Sequence, residues 1–521
     1  MPIAPATNTP RPRALRATAC ATALLAGACQ GVPAAPDTDA TTTASTTAST
    51  TATTATTETT THGSEGDTTT GEPTTAGVDT STTGEPLPSC EALPGAPPPV
   101  EVADVLVVPI DLTRVAAELR FDPPTREVVG RATLEFRSGP VEGLPVFDLR
   151  QPIDRAVLDG VELPPNAIVA FTPPSEVTML AINRLLAPCG EHRLELEYHL
   201  QEPFEDDPTS FAWADDAVAW GTHLSDYLAG RFTEKWIPGN LIHDVYDLEL
   251  EIAVDGGAPH EVIANAPVIA IADNHWTLAF PQTTGMTPLV QLCPTASVLR
   301  DEFAVDAINV LVWRCELWPG NADDVALFAD ELIAALQFGA EELGPYPHGD
   351  RFVAVLLSHG GLAMEYPGGT VTTLDAVRHE VFHSWIGRAV RPLSQRDAWF
   401  DEAWTTWAID EAFQAASLAP DDPPITLADA NLWTRGTPYE SYDTGPALLS
   451  ALAAEVGLAE FRALLREFYQ SHTGQAVTTE KFERFLDCRI GGGHVRALFH
   501  RFVHGQDGDP PPPPPEHCDS P

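Results

Sequence analysis

The chain has 521 residues, with 29 Lys and Arg against 74 Asp and Glu, a formal net charge of −45. Such an excess of negative charge excludes nucleic acid and anionic lipid surfaces as partners, since both would be repelled. The roughly 430 residues from Cys90 onward exceed the size of a single hydrophobic core and predict at least two domains.

In chain order, Arg11, Arg13 and Arg16 precede an apolar run from Ala17 to Ala28 that ends in LLAGAC. This reads as a bacterial signal peptide over residues 1–29. Its small residues before Cys29 resemble a lipoprotein cleavage box, which would leave Cys29 lipidated on the cell envelope. Ordinary signal cleavage, with a secreted product, is the alternative. The run is too short to span a bilayer as a permanent helix, so a lipid anchor is the only membrane contact expected. Residues 30–89 are Thr-rich, with TTGEP at Thr69 and again at Thr82, and hold almost no large apolar residues. They predict a disordered linker without a core.

Six cysteines follow: Cys90, Cys189, Cys293, Cys315, Cys488 and Cys518. An even number in an exported chain predicts up to three disulfides. Proximity in sequence pairs Cys90 with Cys189, Cys293 with Cys315, and Cys488 with Cys518.

Between residues 90 and 299, stretches such as VVGRATLEFRS, HRLELEYHL and YDLELEIAV alternate apolar and polar residues. Turn signals such as Asp122-Pro123-Pro124 separate them, so the region is predicted to be all-β, with Trp213, Trp220 and Trp236 as core residues. A helix is predicted from Ala322 to Leu343, with Val325, Phe328, Leu332, Ile333 and Leu336 on one face. The strand in GPYPHGDRFVAVLL then leads toward Ala363, Met364 and Glu365. Further helices are expected near 447–456, 458–472, 479–490 and 495–503, with Thr479 as an N-cap and Gly491 as a stop. Residues 506–521 form a Pro-rich tail in which Pro510 to Pro515 forbids helix.

The stretch from Asp375 to Trp404 carries the chemistry. His379, Glu380 and His383 form H-E-x-x-H, and Glu402 follows after 18 residues. On a helix, residues four apart face the same way, so two neutral imidazoles can share one divalent ion. A catalytic zinc site needs a third protein ligand and an open position, and Glu402 at the start of a second helix is the natural candidate. Glu380 is not a ligand in this arrangement; it is the general base beside the metal. Val377, Val381, Phe382 and Trp385 occupy the other faces, and Gly387 marks the helix stop.

H-E-x-x-H with Glu402, together with GLAMEYPGG (Gly361 to Gly369), WFDEAW and SYDTGPALL (Ser441 to Leu449), resembles the aminopeptidase N family of gluzincin zinc peptidases. The resemblance implies a multidomain α+β fold. An N-terminal saddle-like β domain (90–299) precedes a thermolysin-like mixed α/β catalytic domain (300–505) that ends in helices. The large C-terminal helical domain of the bigger family members is not expected. It also implies one zinc ion held by His379, His383 and Glu402, peptide substrates, and catalysis by Glu380 and Tyr442. Tyr442 would donate to the oxyanion, with Tyr439 as its competitor. Glu365, with Met364 and Ala363, would bind the free amine of the substrate, and Tyr366 stands where the family commonly has Asn. The family also places a Glu or Gln on the β domain to help bind the amine; here Leu224, in THLSDYLAGRF, falls near that position. The implied activity is removal of N-terminal residues. An endopeptidase on the same scaffold and a catalytically silent peptide-binding lipoprotein are the alternatives.

Overall fold

The computed structural model describes residues 90–513 and Cys518, apart from 103, 174–177, 204–210, 319–324, 358–362, 416–417 and 419–421. The expected signal peptide with Cys29 and the Thr-rich linker lie outside the described residues.

From Val100 to Pro294 the chain is built of strands. The longest, Val105–Asp122, pairs antiparallel with Glu127–Ser138 across the Pro-Pro turn, with Asp122 opposite Glu127. Buried and less buried residues alternate along both, because successive side chains point to opposite faces of the sheet. These strands lie in a twelve-stranded sheet, and a separate four-stranded sheet completes the region. Leu112, Val115, Leu119, Leu134, Phe136 and Tyr198 form its core with Trp220 and Trp236; Trp213 packs on it half-buried.

A different sheet begins at Val298. Five strands run in the order Val298–Val305, Ile308–Cys315, Arg351–Leu356, Gly369–Thr372 and Met364–Tyr366. The second, third and fourth are parallel, which requires a crossover, and helix α1 (Val325–Glu342) supplies one. The short strand bearing Glu365 is antiparallel to its neighbour and lies at the edge. The remaining helices are α2 (Val377–Phe382), α3 (Trp399–Ile409), α4 (Glu411–Gln414), α5 (Thr444–Val456), α6 (Leu458–His472), α7 (Thr479–Ile490) and α8 (His494–Phe502). The N-cap of α7 is Thr478 and not Thr479. Thr478 has extended backbone and its hydroxyl accepts from Lys481 N at 3.2 Å, whereas the Thr479 hydroxyl accepts from the Trp399 indole at 3.0 Å.

The three disulfides join Cys90 to Cys189, Cys293 to Cys315 and Cys488 to Cys518. The second ties the four-stranded sheet to the five-stranded one. Leu224, Phe232, Ile242 and Leu289 of the β region also share a core with Trp313, Val353, Met364 and Tyr366 of the next sheet. A buried ionic cluster adds to this joint. Arg435, in the loop before α5, pairs with Asp148 and with Glu234 of the β region, and Arg150 reaches Asp148 at 2.8 Å. Removing one member of a buried ion cluster strands its partners' charge. Arg435→Met is therefore expected to lose about 3–5 kcal/mol of stability in urea unfolding. A loss below about 1 kcal/mol, the usual value of a surface pair, would count against a role for this clasp.

Candidate active site

Helix α2 carries His379 and Glu380 but is shorter than the expected run to Gly387. It ends at Phe382, and His383 is its C-cap. Beyond it the chain tightens, with Ser384 N donating to Val381 O and Trp385 N to Phe382 O, both at 3.0 Å. Gly387 then turns back at φ +96°, a conformation that strains any residue with a side chain. The turn closes through Val390 N to Trp385 O at 3.1 Å and Gly387 N to Val390 O at 2.8 Å. Val377, Val381, Phe382 and Trp385 are all buried in the core that α2 shares with α1 and α3.

His379 Nε2 lies 2.9 Å from Glu402 Oε2 and 2.9 Å from His383 Nε2, and His383 Nε2 lies 3.4 Å from the same carboxylate oxygen. A tetrahedral zinc site with bonds of 2.0–2.1 Å has ligand atoms about 3.3 Å apart, so these three atoms fit one ion. His383 is fully buried and His379 half-buried, so the site is reached from the His379 side. The other nitrogen of His383, Nδ1, meets Asp401 Oδ1 at 2.5 Å and Thr405 Oγ1 at 3.2 Å. A proton on Nδ1 shared with Asp401 leaves the Nε2 lone pair for a metal and fixes the ring. Gly387 makes room for this pair, because a methyl group there would land on the Asp401 carboxylate. Gly445 similarly lets α5 approach α3, where an added Cβ would lie 2.5 Å from that of Ala403.

Glu380 is buried beside this set, and burial, followed by the nearby Glu365 charge, raises its carboxyl well above the usual range. Burial works against ionisation of Glu402 too, but His383 and His379 outweigh it and hold that carboxyl well below the usual range. Tyr442 stacks on His379, with ring centroids 6.4 Å apart. Tyr439 lies farther out, 47% exposed, with its ring 6.1 Å from that of Tyr227. Geometry therefore separates the two tyrosines.

Glu365 faces His383, with Oε1 4.0 Å from Nδ1. Its neighbour Met364 points the other way, into the core with Tyr366 and Val353, and offers a substrate only main chain. Ala363 is half-buried just before the edge strand, while Gly361 and Leu362 of the same motif lie outside the described residues.

Two residues of the cleft escaped the sequence reading. Asp226, two residues beyond Leu224, is buried and accepts from the Thr437 hydroxyl at 3.0 Å. Burial, then the Glu402 and Glu365 charges, push its carboxyl well above the usual range. Its loop is pinned by Leu224 N donating to the Tyr366 hydroxyl at 3.3 Å and by Thr437 N donating to Asp226 O at 3.0 Å. Arg388, directly after Gly387, is buried and paired with Glu365. Neither lies in a periodic pattern or motif that would have singled it out.

No family model matches the chain. Over 288 residues it is 25% identical to aminopeptidase N of Caulobacter vibrioides, covering 45% of this chain and 32% of that relative. The chain thus spans about a third of the length of the curated relative it matches. An M1 zinc metallopeptidase of Deinococcus radiodurans superimposes with a TM-score of 0.53 at 20% identity, over 78% of this chain and 96% of that one. A mutant form of it bound to a Tyr-Ser-Ala substrate gives 0.54 at 18% identity, over 77% and 95%. Native yeast LTA4 hydrolase gives 0.53 at 15% identity, over 77% of this chain and 69% of that one. The fold is that of the M1 zinc metallopeptidases. In sequence, the match to aminopeptidase N agrees with the family resemblance carried by the H-E-x-x-H and Glu402 motif.

Because these three side chains are placed to share one ion, His383→Ala is expected to lose bound zinc, read by elemental analysis of the purified protein. A variant that keeps one full equivalent would refute this ligand set.

Proposed function

We propose that the chain is a zinc-dependent aminopeptidase that removes residues from the amino terminus of peptides. The observation that carries this reading is the convergence of His379, His383 and Glu402 on one point, with Glu380 and Tyr442 beside it. A zinc ion bound there supplies a Lewis acid that polarises the scissile carbonyl and acidifies water. Glu380 takes a proton from the attacking water and returns it to the leaving amine. Tyr442 donates a hydrogen bond to the developing oxyanion. The substrate ammonium is read through charge-assisted hydrogen bonds by a carboxylate of the cleft, for which Asp226 and Glu365 are the two candidates.

The test is hydrolysis of an aminoacyl fluorogenic amide and its N-acetyl form, with and without a chelator. Cleavage should stop with the chelator, and the acetylated form should be poor. Glu380→Gln should keep its zinc and lose turnover by about 100-fold or more. Tyr442→Phe should lose about 2.7–4 kcal/mol of transition-state stabilisation, seen mainly in kcat, while Tyr439→Phe is mild. Equal cleavage of blocked and free substrates would make the protein an endopeptidase on this scaffold.

We further propose that the chain is exported and anchored through a lipid on Cys29. Arg11, Arg13, Arg16 and the apolar run support this, as do three disulfides, which persist in oxidising compartments. Cys29→Ser should move the protein from the membrane fraction to the soluble one; unchanged fractionation would remove the lipid anchor.

A further inference from the structure

Arg388 leaves the turn after α2 and reaches back to the edge strand. Its Nη2 forms an ion pair with Glu365 Oε1, and its Nε donates to the Glu365 carbonyl at 3.3 Å. Nη1 lies 4.0 Å from Asp401 Oδ2 and donates to Gly387 O at 3.0 Å. Both side chains of the pair are about 95% buried, with exposures of 5% and 3%. Glu365, His383 and Asp401 bring three ligand atoms close enough to hold a cation of their own. The guanidinium already supplies positive charge at that spot, so this second cluster is satisfied without a metal.

A guanidinium does not deprotonate in a protein, and a buried ion is held only where it is paired. Parting Arg388 from Glu365 would leave the guanidinium with only its longer, 4.0 Å ionic contact to Asp401. A substrate ammonium that approaches Glu365 therefore competes with a resident cation that cannot leave. Asp226 is placed differently. Its side-chain hydrogen-bond partner is the neutral hydroxyl of Thr437, and among the described residues no salt bridge engages it. An incoming ammonium would favour the ionised form of this carboxyl and pair with it directly.

We propose that Arg388 is a specificity-determining residue. By holding Glu365 in an internal ion pair it withdraws that carboxylate from the substrate and leaves Asp226 to meet the amino terminus. This rests on the aminopeptidase reading above and divides its amine recognition unequally between the two carboxylates.

The experiment is calorimetric binding of Tyr-Ser-Ala and of its N-acetyl form to zinc-loaded protein, in a Glu380→Gln background so that the peptide is not consumed. Asp226→Asn should weaken the free peptide by about tenfold or more, the effect of one lost charge-assisted hydrogen bond, and the acetylated peptide far less. Glu365→Gln should weaken the free peptide by less than about threefold, and this small cost is the mark of masking by Arg388. In an Arg388→Gln background the same Glu365→Gln change should cost about tenfold, because the carboxylate is then free to meet the ammonium. Arg388 acting only as a structural support would not make the two substitutions depend on each other in this ratio. If Arg388→Gln does not fold, the Asp226→Asn and Glu365→Gln comparison decides alone. Equal losses in those two variants overturn the assignment of Arg388 and leave the aminopeptidase reading standing. Equal binding of free and acetylated peptide by the unsubstituted cleft overturns that reading, and this inference with it.

Discussion

Five carboxyl groups, those of Asp226, Glu365, Glu380, Asp401 and Glu402, are buried around one cleft. Ionised together and alone they would repel each other in a medium far less polarisable than water, and each would resist leaving solvent. The rest of the site is arranged around compensating them. Arg388 answers Glu365, His383 answers Asp401, and the two histidines answer Glu402. A divalent ion held by His379, His383 and Glu402 would complete the balance, because it would concentrate two positive charges where three donor atoms meet. Folding and metal affinity are linked through this arrangement, since the site exists only when distant segments are packed together.

That packing is specified at a few points of close approach. Gly387 lets the Asp401 carboxylate lie against the main chain, and Gly445 lets α5 close on α3 at Ala403. Trp385, Trp399, Trp404 and Trp407 fill the space around α2 and α3 and are almost fully buried. Large rigid side chains on all sides leave little freedom for the histidines, which is what a metal site with fixed donor positions requires. The edge strand contributes on both faces. Glu365 looks into the cleft, while Met364 and Tyr366 look into the core.

The β region takes part in the cleft as well as bearing on its stability. Tyr366, beside Glu365, holds the loop that presents Asp226, and Thr437 holds it from the other side. The Arg435 cluster and the Cys293–Cys315 disulfide lock the same joint at two further places. A loop held by partners on both halves of the molecule places its carboxylate with a precision that a free loop would not have.

Much of this was legible in the order of the residues. The four-residue spacing of His379 and His383 and the position of Glu402 follow from helical periodicity, which is local. Alternation exposed the strands of the β region for the same reason, because each residue's face depends on its neighbours. Elements such as α6 and α7 carry their start and stop signals within a residue or two of their ends. Local rules also reached their limits. Two adjacent threonines, Thr478 and Thr479, are equally good caps on paper, and the indole of Trp399, remote in sequence, claims one of them. Helix α2 stops short of Gly387 because its last turns are shaped by the contact with Asp401 and by pairing with Val390. Asp226 and Arg388 had no pattern to announce them, since a single charged residue has no period. Their place in the cleft was decided by tertiary structure alone, because charge compensation acts through space and is indifferent to distance along the chain.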